Sequence, residues 1–187
     1  FNNQLRNVIL VSLICLFILF KFILSTDAIM KTIYVSAYQN IESSFIGIFD
    51  LDFIRQLTDE CSVPITIGGG VKKIHEITNL LLTGADKVAL NTELYSNPDL
   101  IDESSKKFGA QTIVVGIDFK EVGRNTFKCV SHSGKKIENV DPISWATECA
   151  ERGAGELIIT SIDRDGLMKG YDTDMLKKIS SKVYATI

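Results

Sequence analysis

At 187 residues, 45% of them hydrophobic and 23% charged, the chain has the balance of an ordinary globular protein, long enough for one domain with a sizeable core. Its formal charge of −3 leaves no basic footprint and argues against a nucleic-acid partner. The four cysteines, Cys15, Cys61, Cys129 and Cys149, lie far apart with no CxxC pair and only His75 and His132 to join them as ligands, which argues against a metal centre or a disulfide framework and for reduced thiols in a cytoplasmic compartment.

The first element in chain order is anomalous. Residues 8–24, VILVSLICLFILFKFIL, are apolar except for Ser12 and Lys21 and sit at the lower limit of a membrane-spanning helix, with Arg6 before and Lys31 after. Taken alone they read as a signal anchor. The remainder of the chain argues against a membrane, so residues 1–44 are set apart as a hydrophobic, atypical amino-terminal segment. Residues 45–187 are expected to form one domain.

From residue 45 onward, helical stretches alternate with short apolar strands, the pattern of βαβ units and a parallel sheet. DLDFIRQLTDEC is an amphipathic helix, Val63-Pro64 breaks it, and PITIGGG is a strand entering a glycine turn. KKIHEITNLLLTGA predicts a helix capped by Gly84, with Ile74, Ile77, Leu80 and Leu81 at helical spacing. DKVALNT is the next strand, NPDLIDESSKKFG a capped helix and TIVVGID a strand that ends on a charge. After a polar, hairpin-like insert, TFKCVSHSGKK, come the helix PISWATECAERGAG, the strand ELIITSID and the helix DTDMLKKISSKV. The final YATI reads as the first residues of a further strand. Similarity between LLTGADKVALNT and AERGAGELIITS suggests a barrel or a doubly wound sheet of equivalent units.

Polar residues gather at the carboxyl ends of these strands, the face that carries ligands in parallel α/β folds. Gly69 and Gly70, in a triplet that opens a helix, suit an anion approaching free backbone N–H groups. A tight turn would explain one or two of these glycines and less easily three. Asn91 and Thr92 read either as phosphate donors or as a helix cap. Asp118 reads as an acid–base group if partial burial raises its pKa, or as a turn cap paired with Lys120. Thr160, Asp165 and Gly166 fall in SIDRDGLMKG, which by itself is a surface turn. No catalytic role is assigned to His75 or His132.

Taken in order, VPITIGGGV, GADKVALNT, NPDLI, FGAQTIVVGIDFK, HSGKK and GAGELIITSIDRDGLMKGYD resemble the cyclase subunit family of imidazole glycerol phosphate synthase, a (β/α)8 barrel of histidine biosynthesis. The match runs over residues 53–183. The resemblance implies an incomplete (β/α)8 barrel with strands three to six clear. It also implies a lyase that uses ammonia from a glutaminase partner, in a heterodimer, to convert a bis-phosphorylated ribulosyl aminoimidazole carboxamide nucleotide to imidazole glycerol phosphate. By the same resemblance Asp118 is the fifth-strand catalytic aspartate, and Gly69, Gly70, Asn91 and Thr92 belong to one phosphate site. Thr160, Asp165 and Gly166 become substrate contacts, Lys87 and Glu156 two members of the gate at the ammonia entrance, and Asp86 a glutaminase contact. No cofactor and no metal is implied.

The first-strand aspartate of that family has no counterpart in residues 1–44, and its strand-seven and strand-eight phosphate loops have none before Ile187. The chain is therefore expected to be a fragment whose opening residues are foreign to the family. Three alternatives stand beside the cyclase: a paralogue that serves amidation of surface-polysaccharide sugars, the sister phosphoribosyl isomerase barrel, and a non-catalytic, membrane-anchored phosphate-binding fragment.

Overall fold

The computed structural model describes residues 33–36, 51–61 and 63–187, with the backbone alone at 33–36 and at Phe53. The apolar run 8–24 lies outside the described residues. Among those described, no helix is long and apolar enough to cross a membrane.

Among the described residues, five parallel strands make up the wall of a seven-stranded sheet: β1 (Ile33–Ser36), β2 (Ile65–Gly68), β3 (Lys87–Leu90), β4 (Ile113–Gly123) and β7 (Glu156–Ser161). Each pairs with the next in that order, Ile33 opposite Ile65, Ile67 opposite Val88, Leu90 opposite Val115 and Val114 opposite Glu156. Parallel strands that neighbour one another in strict chain order are the arrangement of a barrel wall, because a doubly wound sheet reverses direction at a switch point. A single parallel bridge from Glu156 to Thr186 continues the wall beyond β7, where YATI is expected to begin a strand. β1 precedes residue 45, so the sheet takes in residues ahead of the expected start of the domain.

Helices α1 (Leu51–Glu60), α2 (Ile74–Leu82), α3 (Asp99–Phe108), α4 (Pro142–Glu151) and α5 (Thr173–Ser180) connect and follow the strands. Local chemistry sets their starts. The Asp141 carboxylate accepts from the N–H groups of Ile143 and Ser144, both at 3.0 Å, and Pro142 opens α4 with φ already helical. Asp172 accepts from the Met175 N–H at 3.1 Å to start α5. At α3 the capping residue is Pro98, and no side chain caps the helix start.

Helices and sheet meet in one core. Ile65, Ile67, Val88, Leu90, Ile113, Val115, Ile117 and Leu157 pack with Ile54, Leu57, Ile77, Leu80, Leu100, Ile101, Trp145, Cys149, Met175 and Ile179. Each fully buried Ile or Leu contributes about 1.5–3 kcal/mol of transfer free energy. Tyr95 stacks on Trp145 with centroids 5.1 Å apart. The thiols of Cys129 and Cys149 are buried there, and burial pushes Cys129 up to about 12, far from any thiolate reactivity.

The polar insert is a hairpin that rides on β4. Instead of stopping at Asp118, β4 runs on to Gly123, turns through Asn125 at φ 56, and returns antiparallel as β5 (Thr126–Ser131), which in turn pairs antiparallel with β6 (Lys136–Ile137). β3 reaches only as far as Val115, and β5 takes over that flank from Asp118 outward, with Val130 opposite Asp118. Asp118 is thus mid-strand, at the level where one neighbour gives way to another.

Close strand packing leaves no room for a side chain at Gly68, where an added Cβ would lie 2.6 Å from both Cβ and O of Ala89. Gly68→Ala is expected to destabilise the fold by about 1–3 kcal/mol. Urea unfolding followed by circular dichroism checks this, and an unchanged midpoint would mean that β2 and β3 separate freely.

Candidate active site at the carboxyl ends of the strands

Because successive side chains alternate between faces, strand register sorts every residue to the helix side or to the opposite, inner side of the sheet. Thr66 pairs with Lys87, Gly68 with Ala89, Ala89 with Val114, Val114 with Glu156, Gly116 with Ile158 and Asp118 with Thr160. The inner face therefore reads in layers. Thr66 and Lys87 are level at the amino ends of the strands. Gly68, Ala89, Val114 and Glu156 form the next level, and Gly116 and Ile158 the one after. Asp118 and Thr160 lie at the carboxyl end, joined by Asn91, one residue beyond β3.

Between the first two levels, Lys87 Nζ lies 2.6 Å from Glu156 Oε2, reaching across β4, and the two side chains are only 21% and 15% exposed. Such shielding makes the pair hard to break singly, since either charge left alone would be stranded with little water. Asp86 immediately precedes Lys87. Its backbone N–H donates to Ile65 O at 3.0 Å, and its carboxylate accepts from Ile65 N–H at 2.8 Å, closing the β2–β3 ladder, while the residue itself stays exposed.

Gly68, Ala89 and Gly116 add little bulk to the inner face, with Val114 and Ile158 standing beside them. An added Cβ at Gly116 would meet Asn91 Nδ2 at 3.3 Å, so the missing side chain lets the Asn91 amide cross toward β4. Asn91 Nδ2 donates to Asp118 Oδ2 at 2.9 Å.

Asp118 is half-buried, and its carboxyl is raised above the ordinary value of 3.8. Loss of water is the main cause. Hydrogen bonds from Asn91 and Thr160 hold it down in part, and the negative charge of Asp165 adds to the rise. A carboxyl in this state can hold or release a proton nearer neutrality than a solvated aspartate.

Around Asp118 the expected residues fall into three groups. Asn91 and Thr160 touch it, Asp165 reaches it through charge, and Thr92 stands beside Asn91. Gly166, at φ 70, lies with Asp165 in the exposed loop after β7, and Thr160, Asp165 and Gly166 line a cleft of about 380 Å³ along that strand. Gly69 and Gly70 form the second group, at the carboxyl end of β2. Both are exposed, and nothing lies within 4 Å of where a Cβ at Gly70 would be, which leaves an open approach for a ligand atom. Lys87, Glu156 and Asp86 form the third, at the far end of the strands. Sequence reasoning missed Gly116 and the Asn91–Asp118 bond, because nothing in the chain marks which residues of two apolar strands share a face.

The raised carboxyl has a consequence for stability. With a folded pKa above 3.8, the native state binds more protons than the unfolded state in the window above that value, so the contribution of Asp118 to stability falls as pH rises through it. Asp118→Asn keeps the shape and stays neutral. The variant is expected to melt at a higher temperature than the native protein near pH 7, with the gain shrinking as the pH is lowered toward 3.8. A thermal melting series across that range measures it. An equal or lower Tm near pH 7 would contradict a strained carboxylate.

Comparison with known proteins agrees with this geometry. The sequence model of the family described as "Histidine biosynthesis protein" matches residues 48–187. Imidazole glycerol phosphate synthase subunit HisF of Endomicrobium trichonymphae is 42% identical over 133 residues, which are 71% of this chain and 51% of that protein. The subunit HisF of Metallosphaera sedula is 44% identical over 129 residues, 69% of this chain and 51% of that one. The chain spans about half the length of the curated relatives it matches. With the family model covering about three quarters of its length and its parallel strands in barrel order, the chain belongs to the histidine biosynthesis protein family, as part of a HisF-like (β/α)8 barrel.

Proposed function

We propose that this domain is the cyclase half of a cytoplasmic imidazole glycerol phosphate synthase. In this reading it is a lyase that takes ammonia from a glutaminase subunit and closes the imidazole ring on a bis-phosphorylated ribulosyl aminoimidazole carboxamide nucleotide. The observation that carries the reading is the layered inner face. An ion pair, Lys87–Glu156, stands toward one end, the small residues Gly68, Ala89 and Gly116 lie on the same face, and a half-buried carboxyl held by Asn91 and Thr160 stands at the other end. A small neutral molecule needs such a route, since Gly68, Ala89 and Gly116 leave space where larger side chains would fill the interior.

Roles follow from position. Asp118 moves a proton at the reacting carbon or nitrogen, as one member of an acid–base pair. Gly69, Gly70, Asn91 and Thr92 take one phosphate through N–H and O–H donors. Thr160, Asp165 and Gly166 line the substrate cleft on the β7 side. Lys87 and Glu156 gate ammonia, and Asp86, exposed at the same end, meets the glutaminase.

The full-length gene product, supplied with an ammonium salt and the bis-phosphorylated nucleotide, is expected to release imidazole glycerol phosphate without any glutaminase. Asp118→Asn is expected to lower kcat by about 10²–10⁴ with the fold intact. Turnover of a nucleotide sugar in place of the imidazole precursor, or near-normal kcat in the variant, would overturn the assignment.

A further inference from the structure

The tip of the β5–β6 hairpin carries a constellation that the acid–base chemistry does not use. Since β5 comes down beside β4 on the flank that β3 vacates, its end lands over the carboxyl end of β3. There the His132 backbone N–H lies 3.4 Å from Thr92 Oγ1. His132 and Ser133 both take left-handed conformations, at φ 52 and 57, which side chains with a Cβ rarely adopt and which cluster at ligand sites when they do.

The side chains at this tip are tied in series. Ser131 Oγ lies 2.5 Å from Glu138 Oε1 and 2.9 Å from His132 Nδ1, and Lys136 Nζ lies 3.0 Å from the same Glu138 oxygen. Glu138 is 9% exposed. Burial pushes its carboxyl up, but the bonds from Ser131 and Lys136 outweigh that and hold it below the usual carboxylate range, so it is ionised and only accepts. Ser131 has one proton. It donates that proton to Glu138 and therefore accepts from His132 Nδ1–H, which fixes the tautomer and leaves Nε2 for an outside partner.

We propose that His132 is a substrate-contacting residue whose Nε2 binds an oxygen of the phosphate held at Gly70, Asn91 and Thr92. In the complex Nδ1 still donates to Ser131, and Nε2, bare in that tautomer, takes a proton from solvent and donates it to the phosphate. A charged donor is thereby added to a site whose glycine, asparagine and threonine groups are neutral. The proposal rests on the cyclase reading for the identity of the substrate, but the phosphate contact can be measured without it.

His132→Gly and His132→Asn are the informative variants, because both residues accept the left-handed backbone and neither should unfold the hairpin. Inorganic phosphate is titrated into the native protein and each variant by calorimetry, with the His132 ring signals followed by NMR in the native protein. KM for the bis-phosphorylated nucleotide is measured in parallel. Loss of one charge-assisted bond is expected to weaken phosphate binding and raise KM by about tenfold or more, with kcat falling less than KM rises. Ser131→Ala should shift both in the same direction by less. Phosphate affinity and KM within twofold of native in both histidine variants would overturn the proposal while leaving the cyclase reading standing, and so would an absence of any phosphate-dependent shift of the ring signals. If the native protein turns over no bis-phosphorylated nucleotide while the variants still lose phosphate affinity, the cyclase reading fails and the His132 contact stands.

Discussion

The whole site depends on how closely β3 and β4 approach along their inner faces. Asn91 follows one strand and Asp118 lies on the other, and their 2.9 Å bond is formed where Gly116 leaves room, since an added Cβ there would crowd the Asn91 amide at 3.3 Å. A similar constraint operates one strand away, where Gly68 lies against Ala89. Small residues are usually a cost in a strand, since they bury little surface and free the unfolded chain. Here the cost falls on two successive levels of the inner face, Gly68 with Ala89 and then Gly116, between Lys87 toward one end and Asp118 toward the other. The outer face repays it with a continuous apolar contact between sheet and helices.

Two kinds of electrostatic environment result. At the amino end, Lys87 and Glu156 satisfy each other, so low exposure strengthens their attraction. At the carboxyl end Asp118 receives neutral donors from Asn91 and Thr160 and feels another carboxylate, Asp165. Similar shielding thus quiets one pair and primes one acid. The difference lies in partner charge more than in depth.

Much of the fold was legible in the sequence because parallel strands covered by helices need uninterrupted apolar runs, and PITIGGG, DKVALNT, TIVVGID and ELIITSID supply them between amphipathic stretches. Barrel order was not legible from periodicity, and came first from the resemblance and then from the pairing of each strand with the next. Face assignment was hidden as well. In IVVGID the inner residues are Val114, Gly116 and Asp118, but a run that is apolar on both sides carries no alternation to reveal it. The carboxyl-end residues could be picked out by type, whereas the contact between Asn91 and Asp118, twenty-seven positions apart, could not. The hairpin was visible only as a polar insert. Its effect, bringing His132 over Thr92, depends on β4 continuing past the charge at which its apolar pattern stops.

At Asp118, β4 is held on both flanks, by Val130 of β5 on one side and by Thr160 of β7 on the other. Amides at the centre of such a strand open only with the largest unfolding units, whereas exposed turns open at little cost. Asp118 therefore belongs to the slowest-exchanging part of the wall, while the glycine turn at Gly70 and the loop at Gly166 belong to the readily opened surface. In the proposed reading, substrate exchanges through movements of that surface without resetting the position of Asp118, and selection can remodel those loops without disturbing it.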